Sequence, residues 1–353
     1  MIGEKHVSKA VVLARKSAAG ATALLFLLVV APVAAHADPV ERCKLNVKSI
    51  GELSGLASDG TRMYATNDGG TKLTVNVLNK DCKVERTITN KTDPFDVEDM
   101  ARTKDGTLWL ADTGDNGKKR DTVALHALTP DGKSTLYRLS YPDGQHDAEA
   151  LLIDQKGVPF LVTKEPFGAA QVFKPAGDLK SPGPTQLTKV AAVDLKSTDT
   201  PGGPTSIPHA IGTILVTGGA VNADGTVVAL RTYTDAYIYG APDGDIVAAL
   251  GREPVRVPLP NEPQGETIAF EPDGTLLTGS EGVGQPIRAV TGAAALVAPK
   301  PQAGSNPAGS GGAGAAAGGS TPDSGFPTWA AIAVAIVVVL GGLAFMGRGR
   351  KAR

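Results

Sequence analysis

Between Asp38 and Ala293 the apolar residues fall in short runs separated by Gly, Pro, Asp and Asn, and no run keeps a helical period. Short strands are predicted throughout, and no long helix. One unit recurs along this stretch: an acid, an apolar stretch, Asp-Gly, then a short apolar strand that ends in polar side chains, with a weaker fourth copy. It reads Glu52-Leu53-Ser54-Gly55-Leu56 with Asp59-Gly60 and Met63 to Asp68, then Glu98-Asp99-Met100-Ala101 with Asp105-Gly106 and Leu108 to Asp112. It returns as Glu149-Ala150-Leu151-Leu152 with Lys156-Gly157 and Phe160 to Thr163, as Thr217 to Val221 with Asp224-Gly225 and Val227 to Arg231, and as Glu266 to Phe270 with Asp273-Gly274 and Leu276 to Ser280.

In all five units the first residue and the first turn residue are seven positions apart, and unit starts are separated by 46, 51, 68 and 49 residues. Apart from the third interval, that is the period of a four-stranded propeller blade. The turn glycine supplies the positive φ that a tight hairpin needs. Further strands are expected over Lys72–Leu78, Val123–Leu128, Thr135–Leu139, Gln171–Lys174 and Tyr237–Tyr239. The fold class is all-β, a β-propeller. The last unit lacks a fourth strand and Lys44–Ile50 is a strand without a partner, so pairing the two would close the ring and remove both edges. Five blades follow, with a sixth left open by the 68-residue interval and its Pro-rich stretch Thr200–Pro208.

The two ends follow other patterns. Lys5, Lys9, Arg15 and Lys16 precede an apolar run and then Ala35-His36-Ala37, which predicts a secretory signal peptide over 1–37. The propeller occupies 38–293. Residues 294–325, rich in Pro, Gly, Ala and Ser, read as a disordered linker. Residues 326–346 carry no charge and are long enough to span a bilayer, and the basic tail 347–353 predicts that the C-terminus is cytoplasmic. The expected location is the cell membrane, single-pass, with the N-terminal domain extracytoplasmic. The tail is similar to that of sortase-anchored proteins but lacks a Leu-Pro-x-Thr-Gly motif.

With 35 Lys and Arg against 36 Asp and Glu, nothing points to nucleic acid or a polybasic lipid surface, and a monomer is expected. The only two cysteines, Cys43 and Cys82, lie in the exported part, where a disulfide between them is expected. Neither has the neighbours of a zinc site.

The units from Val97 to Asp115 and from Gly265 to Glu281 resemble those of esterase-like phytase propellers and, more loosely, gluconolactonase and NHL-type propellers. The layout of the whole chain is similar to that of uncharacterised actinobacterial surface proteins. The resemblance implies the fold; activity does not follow from it.

In a blade, the start of the first strand and the end of the second share one face. Glu52, Glu98, Glu149 and Glu266 should therefore gather at one mouth of the channel, with Asn67, Asp68, Asp112, Asp115, Thr163, Lys164, Arg231, Ser280 and Glu281. Acids about 7 Å apart repel by ~2 kcal/mol per pair at an effective dielectric of about 20. Four arrangements would offset this: a divalent cation, preferably Ca²⁺, held by the four glutamates; internal pairing with Lys164 and Arg231; protonation of an acid; or hydrogen bonds from backbone amides of adjacent blades. Asp68, Asp112, Asp115, Arg231 and Glu281 are candidate ligand contacts. His146, beside Glu149, and Lys164 are candidate catalytic groups; His209 is a weaker version of the same case. The Ala111–Gly117 loop is rich in oxygen ligands but lacks EF-hand spacing, and Gly279-Ser280-Glu281-Gly282 is one residue short of a nucleophile elbow.

Two functions remain open on the sequence. One is a tethered module that binds a surface protein, glycan or small ligand at the channel mouth. The other is a divalent-metal-dependent hydrolase of phosphoester or lactone type, which needs a cation held by three or more acids with an open position.

Overall fold

The computed structural model describes residues 38–298. The expected signal segment, membrane helix and basic tail, and all but the first residues of the linker, lie outside the described residues. Among the described residues no helix is long and apolar enough to cross a membrane.

The chain opens on β1 (Val40–Lys44). Blade 1 is β2 (Leu53–Ser58), β3 (Met63–Asn67), β4 (Leu73–Leu78) and β5 (Val84–Asn90), and blade 2 is β6 (Val97–Arg102), β7 (Leu108–Asp112), β8 (Val123–Leu128) and β9 (Ser134–Ser140). Blade 3 is β10 (Ala148–Ile153), β11 (Pro159–Thr163), β12 (Ala170–Pro175) and β13 (Thr185–Val193), and blade 4 is β14 (Val216–Val221), β15 (Val227–Thr232), β16 (Asp235–Gly240) and β17 (Val255–Pro258). Blade 5 holds β18 (Gly265–Phe270), β19 (Leu276–Ser280) and β20 (Pro286–Val290), with β1 as its outer strand. Each first strand contacts the next, from β2 through β6, β10, β14 and β18 and back to β2, so the ring is closed. Blades 2 and 3 also touch at their outer edges, where β9 and β13 pair in parallel.

The inner strands of the five blades are buried on both faces. Five apolar clusters fill the five gaps between neighbouring blades, such as Val75, Ile88, Met100 and Leu110 between blades 1 and 2, and Leu152, Val162, Val228 and Tyr237 between blades 3 and 4. Strands such as β8 and β15 are therefore buried along their whole length and are mostly apolar, with His126 and Arg231 the buried polar exceptions. The turn glycines Gly60, Gly106, Gly157, Gly225 and Gly274 all have positive φ, as the hairpins require.

The closing strand differs from the expectation in position. It is Val40–Lys44 and not Lys44–Ile50, because Leu45 and Ile50 turn inward into the gap between blades 5 and 1 and Lys48–Ile50 becomes a 3₁₀ turn. The 68-residue interval contains no sixth blade. After β13 the chain runs through the Pro-rich segment and the short α1 (His209–Gly212) before entering β14, and α2 (Ile246–Leu250) bridges β16 and β17. At the other end, Ala293–Val297 forms a 3₁₀ turn that packs against the gap between blades 4 and 5, so ordered structure continues past Ala293.

Two covalent or buried polar links tie blades together. Cys43 on β1 is joined to Cys82, in the turn after β4, with a Cα–Cα distance of 5.8 Å. Asp99 is fully buried where three blades meet: it accepts hydrogen bonds from the amides of Met100 (2.7 Å), Leu151 (2.8 Å) and Gly219 (3.0 Å). Burial nevertheless holds its pKa well above the carboxylate range against those three amides.

The disulfide closes a loop of 39 residues, for which chain entropy gives about 4 kcal/mol. Replacing both cysteines by serine is expected to lower unfolding stability by about 3–4 kcal/mol in urea titrations with the fold retained. An unchanged midpoint would mean that the closure of blade 5 does not depend on the bridge.

Candidate functional site

The site rests on one local irregularity repeated in every blade. Each first strand is bulged at its second residue, so that two of its residues face one of the partner strand. The bulged residues are Ser54, Glu98, Glu149, Thr217 and Glu266. Aligned on the bulge, blade 1 contributes Ser54 where the sequence reading placed Glu52. The reason is the turn: Asp59 closes directly on Arg62, whereas Thr103 closes on Thr107 in blade 2, so a common spacing to Asp-Gly misaligns blade 1. Glu52 is exposed ahead of β2, its carbonyl accepts from the Asp68 amide, and it is not part of the group formed by Glu98, Asp147 and Glu149.

The bulged residues divide by chemistry. Ser54 donates to the carbonyl of Val97 (2.7 Å) and Thr217 to that of Gly265 (2.9 Å), each stitching its blade to the next. Glu98, Glu149 and Glu266 are buried and carry charge instead. The residues two positions earlier are Asp96, Asp147 and Gln264, so Asp-x-Glu occurs in blades 2 and 3 and Gln-x-Glu in blade 5. Ligand oxygens of Glu98, Asp147 and Glu149 lie within 4.8 Å of one another. Gly114 leaves space for this group: a Cβ there would stand 2.2 Å from Glu98 Oε1 and 2.5 Å from an oxygen of Asp96.

Among the described residues Lys164 is the cation that bonds the cluster directly, and Lys118 acts on Asp147 through space. Lys164 Nζ donates to Glu149 Oε1 at 2.5 Å and lies 5.1 Å from the ring centroid of the buried Tyr233. Burial works against its charge, but Glu149, Tyr233, Glu266 and Asp147 together hold its pKa well above the ordinary lysine value. It is an ammonium at neutral pH and not a base. A single ammonium leaves the cluster undercompensated, and Glu98 Oε1 and Glu149 Oε2 are buried without a hydrogen-bond partner among the described residues.

The acids respond by holding protons. Burial, followed by the charges of Asp96, Glu149, Asp147 and Glu266, pushes Glu98 well above the carboxylate range. Burial raises Glu149 well above that range despite Lys164. Burial and the adjoining Glu281 carboxyl push Glu266 up to about 8, while Gln264 donates to Glu266 Oε1 at 3.1 Å.

Other residues singled out in the sequence are engaged elsewhere. Arg231 is fully buried and spends all five of its donors, on the carbonyls of Thr232, Thr267, Gly279 and Tyr233 and on Glu262 Oε2 at 2.7 Å. It pins blade 4 to blade 5, and Gly265 admits it, since a Cβ there would stand 1.8 Å from Nη2. Asp112 accepts from the amides of Phe95 and Asp96, from Arg120 and from His126. Burial alone would raise it, but these partners hold it at about 2. Asp115 accepts from the amides of Lys119 and Arg120, so the Ala111–Gly117 loop is a turn built on its own carboxylates. Asp68 is buried, and its carbonyl receives the Val97 amide.

His146 Nε2 lies 2.9 Å from Asp143 and Nδ1 3.5 Å from Glu165, with the ring against Tyr141 and Phe173. His209 is exposed on α1. Asp96, Asp147, Gly114 and Tyr233 escaped the sequence reading, although the repeated Asp-x-Glu would have disclosed the first two.

No protein-family model matches the chain, and no curated protein matches it either. Among solved structures, a streptogramin B lyase is 11% identical over 70% of this chain and 96% of its own, with a TM-score of 0.39. A gluconolactonase from Xanthomonas campestris is 13% identical over 65% of this chain and 67% of its own, TM-score 0.37. A chain of a nidogen–laminin complex is 14% identical over 65% and 72%, TM-score 0.37. Likeness at this level says nothing about activity.

Carboxyls that keep protons in the folded state and lose them at their ordinary value of 4.5 when unfolded make stability fall as pH rises from about 4.5 to about 8. In chelator, the urea midpoint is therefore expected to be higher at pH 5 than at pH 8. Glu98→Gln, which removes the cost of protonating or burying that carboxyl and keeps the shape, is expected to raise stability at pH 8 by about 1–3 kcal/mol. A loss of stability in that variant would show that the Glu98 carboxylate is already compensated.

Proposed function

We propose that this chain is a surface-tethered binding module whose channel mouth takes its ligand through the acids of blades 2, 3 and 5. The observation that carries this reading is the pair of buried, unpartnered oxygens Glu98 Oε1 and Glu149 Oε2, in a cluster completed by Asp147. A buried carboxyl oxygen without a partner is costly, and a positive group supplied from outside recovers that cost. Carboxylates alone form the cluster, which suits a hard cation such as Ca²⁺, with water or a ligand's oxygens filling the remaining positions. A ligand ammonium would meet the same need. The expected signal peptide, linker and membrane helix would hold the domain outside the cell, where the Cys43–Cys82 bridge is stable.

The alternative of a divalent-metal-dependent hydrolase draws on the same three acids, since three ligands are the number such a centre requires. In that reading Lys164, held as an ammonium, would orient or polarise a substrate oxygen. His146 would serve only if it left Asp143 and Glu165.

The test is thermal unfolding of residues 38–298 with and without Ca²⁺. Saturating cation at about a hundred times its dissociation constant adds about 2.7 kcal/mol, which is about 5 °C or more for a domain of this size. The rise is expected to vanish in the Glu98→Gln, Glu149→Gln double variant. If neither Ca²⁺ nor Mn²⁺ moves the wild-type transition, the cation reading is contradicted.

A further inference from the structure

The channel has a second mouth, and it is built differently. The last residue of each first strand sits four positions after the bulge, which places Ser58, Arg102, Ile153, Val221 and Phe270 around the end remote from the acids. With the adjoining turns they line a cavity of about 560 Å³ to which all five blades contribute. That volume is in the range of small-molecule sites.

The ring is chemically one-sided. Blades 3, 4 and 5 supply the apolar arc Ile153, Val221 and Phe270, while blades 1 and 2 supply Ser58 and Arg102. Met100 and Trp109 extend the apolar lining on the side of blade 2. Arg102 lies with its guanidinium carbon 5.5 Å from the Tyr64 ring centroid and hydrogen-bonds the Tyr64 side chain, while its Nε is buried without a partner among the described residues.

Acids are also present at this rim, but most of their oxygens accept hydrogen bonds from their own turns. Asp59 attracts Arg102 through space, yet it accepts from the amides of Thr61 (2.8 Å) and Arg62 (2.7 Å) and from the Tyr64 hydroxyl (2.7 Å). Asp105 accepts from Thr103 and Thr107, and Asp154 from the amides of Lys156 and Val158. Beside them the lining offers an apolar arc and the cationic side chains of Arg102, Lys104 and Lys156, of which Lys104 donates to Gln155 Oε1 at 2.6 Å.

We propose that this second mouth binds a small molecule with an apolar, ring-sized body and a single anionic group, the body against Ile153, Val221 and Phe270 and the anion on Arg102. The site is independent of the acidic mouth, so either reading can fail without the other.

Calorimetric titration of the full chain with 2-naphthoate tests it, with the uncharged 2-naphthamide as the control. Saturable one-to-one binding of the acid is expected. The amide, and the acid with Arg102→Met, are expected to bind at least about tenfold more weakly, since a charge-assisted hydrogen bond is worth about 1.5–3 kcal/mol. The acid–amide comparison uses the wild-type chain, so it stands even if the arginine variant fails to fold. Absence of saturation up to about 5 mM naphthoate, well above the dissociation constants of useful small-molecule sites, would overturn the proposal. Equal affinities for acid and amide would overturn it as well.

Discussion

Everything distinctive about this molecule depends on a bulge at the second residue of each innermost strand. A bulge re-aims a side chain without ending the ladder, and here the ring repeats it five times at one end of the channel. Where that residue is Ser54 or Thr217, its hydroxyl closes a bond to the next blade and the position is structural. Glutamate at the same position has a carboxylate with no such carbonyl to serve, and three of them collect where one lysine cannot neutralise them. The fold supplies the position, and the residue type decides between mortar and site.

Much of the architecture is legible in the chain because blade gaps demand apolar runs and hairpins demand Gly at positive φ. The five units, most outer strands and the use of a leading strand to close the ring all follow from those two requirements. Position was harder. The closing strand moved to Val40–Lys44 because the residues after it are buried in a turn, a fact of packing that alternation along the strand does not reveal.

The site was partly legible for a similar reason. Glu98, Glu149 and Glu266 are separated by turns of matching length, so the spacing to Asp-Gly or Lys-Gly located them. Blade 1 has a shorter turn, and the same ruler pointed to Glu52 instead of Ser54. Arg231 looked like a counter-charge for the acids because it ends a second strand, as Asp112 does. Its long side chain instead folds into the gap beside Gly265 and meets Glu262, a residue outside the repeated unit. Asp112 and Asp115 likewise satisfy their own loop. Sequence spacing identifies which residues share a face; it does not say which of them already have partners.

The central claim is that the acids of the mouth keep protons because burial and their neighbours' charges outweigh the single Lys164 ammonium. Calorimetry of Ca²⁺ binding near pH 7, repeated in buffers of different ionisation enthalpy, counts the protons released per ion bound. The account predicts about one proton or more, since Glu98 and Glu266 are held above the ordinary carboxylate range by burial and by their neighbours. Binding with no proton release would contradict it, because the acids would then be ionised in the free protein.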